Sequence, residues 1–117
     1  IYFDHKKYKE AATAFMEAAK RAPTRADFWL LLGRAYIEGK EYQAALQTLQ
    51  QLLQMEPLSA SVWIDYGLAL EGLEDYNGAR KSAERALSLA LAGGDDVMRR
   101  HAFNNINTAD RLLHEPK

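Results

Sequence analysis

The chain has 117 residues, with 15 Lys and Arg against 16 Asp and Glu, so binding of nucleic acid or an anionic membrane through bulk charge is not expected. No Cys is present, which excludes disulfides, thiolate metal sites and a Cys nucleophile, and leaves the compartment open between cytoplasm and periplasm. The length fits one domain, and no run of about 18 apolar residues exists to support membrane insertion.

One spacing runs through the chain. Pro23 and Pro57, Trp29 and Trp63, and Gly33 and Gly67 are each separated by 34 residues. Tyr8, Tyr42 and Tyr76 form a ladder with the same step, and Ala11, Ala45 and Ala79 form another. Several residue types sharing one period mark a tandem array, divided here into 1–23 (partial), 24–57, 58–92 and a terminal helix over 95–115.

In chain order, the first residue is Ile1 rather than Met, which points to a removed signal or a start inside a longer polypeptide. Ile1 to Asp4 are all that the first unit keeps of its first helix. Its second, Tyr8 to Ala22, would present Phe15 and Ala18 to a missing neighbour. Two readings compete for this open end: loss of preceding repeats, which the missing Met favours, or cover by a second molecule, making a homo-oligomer through the N-terminal end.

In the next unit Phe28, Leu31, Leu32, Ala35 and Tyr36 recur at three- and four-residue steps, the stripe of an amphipathic helix. Gly39-Lys40 interrupts it, with glycine suited to a left-handed helix end. Tyr42, Ala45, Leu46, Leu49, Leu52 and Leu53 make a second stripe that stops before Pro57. The third unit repeats the plan with Val62 to Glu71, a turn over Gly72 to Asp75, and Tyr76 to Ala92. Turns this short force paired helices to run antiparallel. Gly93-Gly94-Asp95-Asp96 reads as a stop followed by a capped start. From Val97 the stripe Val97, His101, Ala102, Ile106, Ala109, Leu112 and Leu113 predicts a final helix to about His114, with Arg99, Arg100, Asn105, Asp110 and Arg111 opposite and Pro116 ending it.

The order Trp29, Leu32, Gly33, Tyr36, Tyr42, Ala45, Leu49 and Pro57 follows the tetratricopeptide pattern, and the sequence resembles a tetratricopeptide-repeat (TPR) protein over about residues 1–92. Trp63, Gly67, Tyr76, Ala79 and Ala83 match in the third unit; Tyr8, Ala11, Phe15, Ala18 and Pro23 match in the first. Tyr66 replaces a Leu, Leu70 the first Tyr, and Leu91 the closing Pro, so that the third unit's second helix is expected to run on to Gly93-Gly94. The resemblance implies an all-α fold, a right-handed α-solenoid of antiparallel helix pairs with a C-terminal capping helix. Small residues at Gly33, Ala45, Gly67 and Ala79 allow close helix approach, while Trp29, Tyr42, Trp63 and Tyr76 fill the wedges.

No catalytic arrangement emerges. His5, His101 and His114 lack the i, i+4 spacing of a helical metal site, and Glu74-Asp75 and Asp95-Asp96 lie where helix caps are needed. Lys6, Lys7 and Lys9 are flanked by Asp4 and Glu10, as on a solvated face. No enzyme activity, metal or cofactor is expected. The resemblance implies a concave groove lined by the first helix of each unit. By position it offers Asp27, Leu30, Arg34, Ile37 and Glu38, then Ser61, Ile64, Asp65, Leu68 and Glu71, then Met98, Ala102 and Asn105. One cation, Arg34, does not make the carboxylate clamp of chaperone-binding relatives. An apolar strip edged by charge suits a protein partner's amphipathic helix or an apolar peptide. RNA would want a basic groove, which these residues do not make.

Overall fold

The computed structural model describes residues 5–115, with side chains from residue 7 onward. The expectations for Ile1 to Asp4, for the side chains of His5 and Lys6, and for Pro116 lie outside the described residues. Six helices and no strand make up those residues: α1 (His5–Arg21), α2 (Ala26–Glu38), α3 (Tyr42–Met55), α4 (Ala60–Gly72), α5 (Tyr76–Gly93) and α6 (Asp96–His114). Helix α1 starts three residues before the expected Tyr8, and α5 runs through the missing proline position to Gly93, as Leu91 implied.

Three helices end in the same way. Glu41 N–H donates to the Tyr36 carbonyl, Asp75 N–H to Leu70, and Asp95 N–H to Ala90, at 2.8–2.9 Å. This six-residue closure needs a left-handed residue just before the donor. Gly94 supplies it at the end of α5 with φ 67°. The other two ends correct the sequence reading: Lys40 (φ 60°) and Glu74 (φ 64°) are the left-handed residues, whereas Gly39 has φ −79°. Gly39 is there for contact instead, since a Cβ on it would lie 3.2 Å from that of Tyr8. The starts of α4, α5 and α6 are capped by Ser59, Asp75 and Asp95, whose side chains accept from Val62, Gly78 and Met98 N–H groups. Glu74-Asp75 and Asp95-Asp96 thus include the caps expected of them.

Each helix packs on its chain neighbours, and the stack measures 40 × 36 × 23 Å. Its thickness is about two helix diameters. Helices α2, α4 and α6 touch in succession, while α1, α3 and α5 make no contact with one another. A layer whose helices meet, backed by one whose helices splay, curves toward the first layer. This is an all-α solenoid of helical repeats with α2, α4 and α6 on its inner wall.

Burial follows nearest neighbours, as stacking units require. One cluster, Ala12, Leu32 and Ala35, joins α1 to α2. A second, Ala45, Leu49, Leu52, Val62 and Ala69, joins α3 to α4. A third, Ile64, Ala86 and Ala102, joins α4, α5 and α6. The wedge residues have an additional tie that periodicity did not reveal. The Trp29 indole Nε1–H donates to the Pro23 carbonyl and that of Trp63 to the Pro57 carbonyl, both at 2.9 Å. Each Trp therefore fixes the turn entering its own helix. Tyr66, in a Leu position, stands edge-on to Trp63 and takes a hydrogen bond from Gln50 Nε2 on α3.

Helix α6 is rotated from the predicted stripe. Val97 and His101 are exposed, and Met98, Ala102 and Ala109 face inward with Asn105 half-buried. Each inward residue of the first turns lies one position later than predicted, about 100° around the helix. Asp110, assigned to the outer face, instead lies 3.1 Å from Arg80 Nε of α5.

Candidate functional site

The inner wall is built by three helices of matching register, so the predicted groove residues can be located one by one. Asp27 is exposed on the first turn of α2 and receives both Nε and Nη2 of Arg25, whose guanidinium lies 4.4 Å from the centre of the Phe28 ring. That pairing holds the Asp27 carboxyl below its ordinary range. Leu30 and Ile37 are half-buried, each resting one side on the α3–α4 cluster. Leu68 and Met98 rest in the same way on the α4–α6 cluster. Glu38 is exposed at the end of α2; Glu71 and Ser61 are half-buried on α4.

Two expectations change. Ile64 is 7% exposed and packs with Ala86 and Ala102, so it belongs to the core rather than to an open apolar strip. The cause is α6, whose Ala102 lets it settle close over α4. Arg34 is not an available cation either: its Nε donates to Asp65 Oδ2 at 2.9 Å and its Nη2 to Ser61 Oγ at 3.0 Å. This bridge ties α2 to α4 across the wall. Asp65 is buried, and burial pushes its carboxyl above the ordinary carboxylate range while Arg34 pulls the other way. Glu71 is also raised by burial, with Arg111 opposing. The wall that remains open is Leu30, Ile37, Leu68 and Met98, with Glu38 and Glu71 at its rim.

Two clefts lie at the other end of the stack and were not foreseen. One, of about 290 Å³, opens between α1 and α2 and is bounded by Ala11, Phe15, Leu31 and Glu38 among others. The second, of about 400 Å³, runs on the other side of α1 and includes Met16, Tyr36 and Glu41. The signal for both was the absent neighbour of Phe15. Among the described residues no group of His, Asp and Glu is placed to hold a metal ion, and no helix is long and apolar enough to cross a membrane.

Known proteins share this architecture. The chain is similar to PcrH, solved in complex with the chaperone binding region of PopD, with 19% identity and a TM-score of 0.83, covering 92% of this chain and 82% of that one. It is similar to the first TPR domain of human RPAP3, with 20% identity and a TM-score of 0.80, covering 96% and 84%. It is also similar to the Sgt2 TPR domain from Aspergillus fumigatus, with 24% identity and a TM-score of 0.73, covering 96% and 76%. No curated protein matches the chain. Two tetratricopeptide repeat models match it, one over residues 2–63 and one over 41–96. With the first model spanning more than half of its length, the chain belongs to the tetratricopeptide repeat family.

Proposed function

We propose that this chain is a protein-interaction scaffold that holds an amphipathic helix or apolar peptide of a partner against its inner wall. The observation that carries the reading is the arrangement of Leu30, Ile37, Leu68 and Met98, apolar side chains that are each only half-buried on the one wall where successive helices meet. Apolar surface retained there is stabilised by a partner's apolar face at roughly 25 cal/mol per Å² removed from water. With Arg34 committed to Asp65, the rim acids Glu38 and Glu71 favour a partner whose polar flank is basic. The likeness in fold to PcrH, a protein solved with a bound segment of PopD, supports the same reading.

The test is selection of binders from a peptide library, followed by titration against a Leu30→Asp, Leu68→Asp double variant checked for helicity and melting. Selected peptides should lose about tenfold or more in affinity, as expected when central apolar anchors are removed. Equal affinity for a folded double variant would rule out this wall as the binding surface.

A further inference from the structure

The repeat gives each outer helix a matching set of four positions, and the three sets differ in cover. On α3 they are Ala45, Thr48, Leu49 and Leu52; on α5 they are Ala79, Ser82, Ala83 and Ala86. All eight are buried. On α1 the same positions carry Ala11, Ala14, Phe15 and Ala18, of which Ala14 is exposed and the others are half-buried. The covered faces are covered in one manner, by the preceding helix in the chain through a glycine. A Cβ at Gly33 of α2 would lie 2.8 Å from Leu49 Cδ2, and one at Gly67 of α4 would lie 3.3 Å from the Ala79 carbonyl oxygen and the Ser82 Cβ. Among the described residues α1 has no such covering helix. The second wall agrees: Leu31 on α2 is 39% exposed, while its counterpart Asp65 on α4, one period later, is 8% exposed. The cleft of about 290 Å³ lies between these two uncovered walls.

We infer that the slot between α1 and α2 receives an amphipathic helix from a partner protein that presents the contact face of α2 itself. That face has a Gly or Ala at the crossing point, with large apolar residues three and four positions away. The occupant follows from an interface the chain already makes twice, α2 on α3 and α4 on α5, continued by one period. A second copy does not offer this face, because its α2 and α4 are already packed on both sides. It would bring its own α1, with Phe15 where the crossing needs a small residue.

The probe is a labelled peptide of residues 24–41, titrated with the full chain and read by fluorescence anisotropy. Saturable binding is expected. It should weaken about tenfold or more when Gly33→Leu is made in the peptide. A similar loss should follow Ala14→Glu in the chain, at an exposed helical position where circular dichroism should stay unchanged. Absence of saturation overturns the inference, and so does binding that ignores both substitutions. A wild-type dimer in sedimentation that Ala14→Glu dissociates also overturns it, because a second copy then covers the slot.

Discussion

The junction of α2, α3 and α4 and the junction of α4, α5 and α6 obey one repeat but fill it with different volumes. The largest wholly buried side chains, Leu32, Leu49, Leu52 and Val62, all sit in the former or beside it. In the latter the matching outer-helix positions are alanines, Ala83 for Leu49 and Ala86 for Leu52, joined by Ala79, Ala90, Ala102 and Ala109. The first junction is held by apolar volume. The second is held by the close approach of two long helices, α5 and α6, whose backbones stay near each other along their length. Period decides where a helix goes; the side chains at two positions per unit decide how near it comes.

The comparison breaks most visibly if residues are exchanged across it. Leu52→Ala should cost about 2–5 kcal/mol, because the methyl groups it removes leave a void that the packed helices only partly close. Its counterpart Ala86 sits where α4, α5 and α6 meet with no exposed surface. Ala86→Leu should cost about 1–3 kcal/mol by forcing those helices apart. Denaturant unfolding of both variants checks this. A neutral or stabilising Ala86→Leu would show that the alanine junction is loose rather than close.

The glycines sharpen the contrast at smaller amplitude. A Cβ at Gly33 meets the Leu49 side chain, whereas one at Gly67 meets the Ala79 backbone oxygen. Gly33→Ala should therefore be relieved by Leu49→Ala, with a favourable coupling of about 1 kcal/mol in a double-mutant cycle. Gly67→Ala has backbone in its way, and trimming Ser82 to Ala should leave its cost in place. Equal rescue at the two sites would mean that both junctions yield through side chains alone.

What the sequence made legible follows from the same distinction. Helix order, turns and the positions at close crossings are carried by side-chain identity at a fixed step, so Trp29, Gly33, Tyr42 and Ala45 announce them. Features set by hydrogen-bond closure or by distant cover were not legible. Lys40 and Glu74 take the left-handed position because of the carbonyl that the next residue must reach, which leaves no compositional mark. Ile64 is withdrawn from the inner wall by Ala102, 38 residues away in the chain. Arg34 loses its independence to Asp65, which looked like one more acidic rim residue. Val97 and His101 misled because an apolar stripe beginning one residue early fits the letters nearly as well as the true one. The Trp–Pro hydrogen bonds had a signal after all, since both residue types repeat together six positions apart.

The smallest expected effect lies on the seam between the two junctions. Asp65 keeps 11% of its side-chain surface in water, while Arg34 keeps 46%, so the cation's attraction is weakened by solvent and burial of the carboxylate prevails. Its folded pKa stands above the unfolded value, near 3.8. In the interval between those values the native state binds more protons than the unfolded one, so this group's contribution to stability is greatest at low pH and is lost as pH rises through the folded value. Asp65→Asn preserves shape and an acceptor oxygen for Arg34 but removes the titration. Melting curves of the two proteins should therefore show wild type gaining on the variant as pH falls from about 7 toward about 4, whatever other carboxylates do to both. The opposite trend, with wild type gaining as pH rises, would mean that Arg34 outweighs burial. The seam would then be a stabilising ion pair, and α2 and α4 would be joined by attraction across the wall as well as by the apolar contact beneath it.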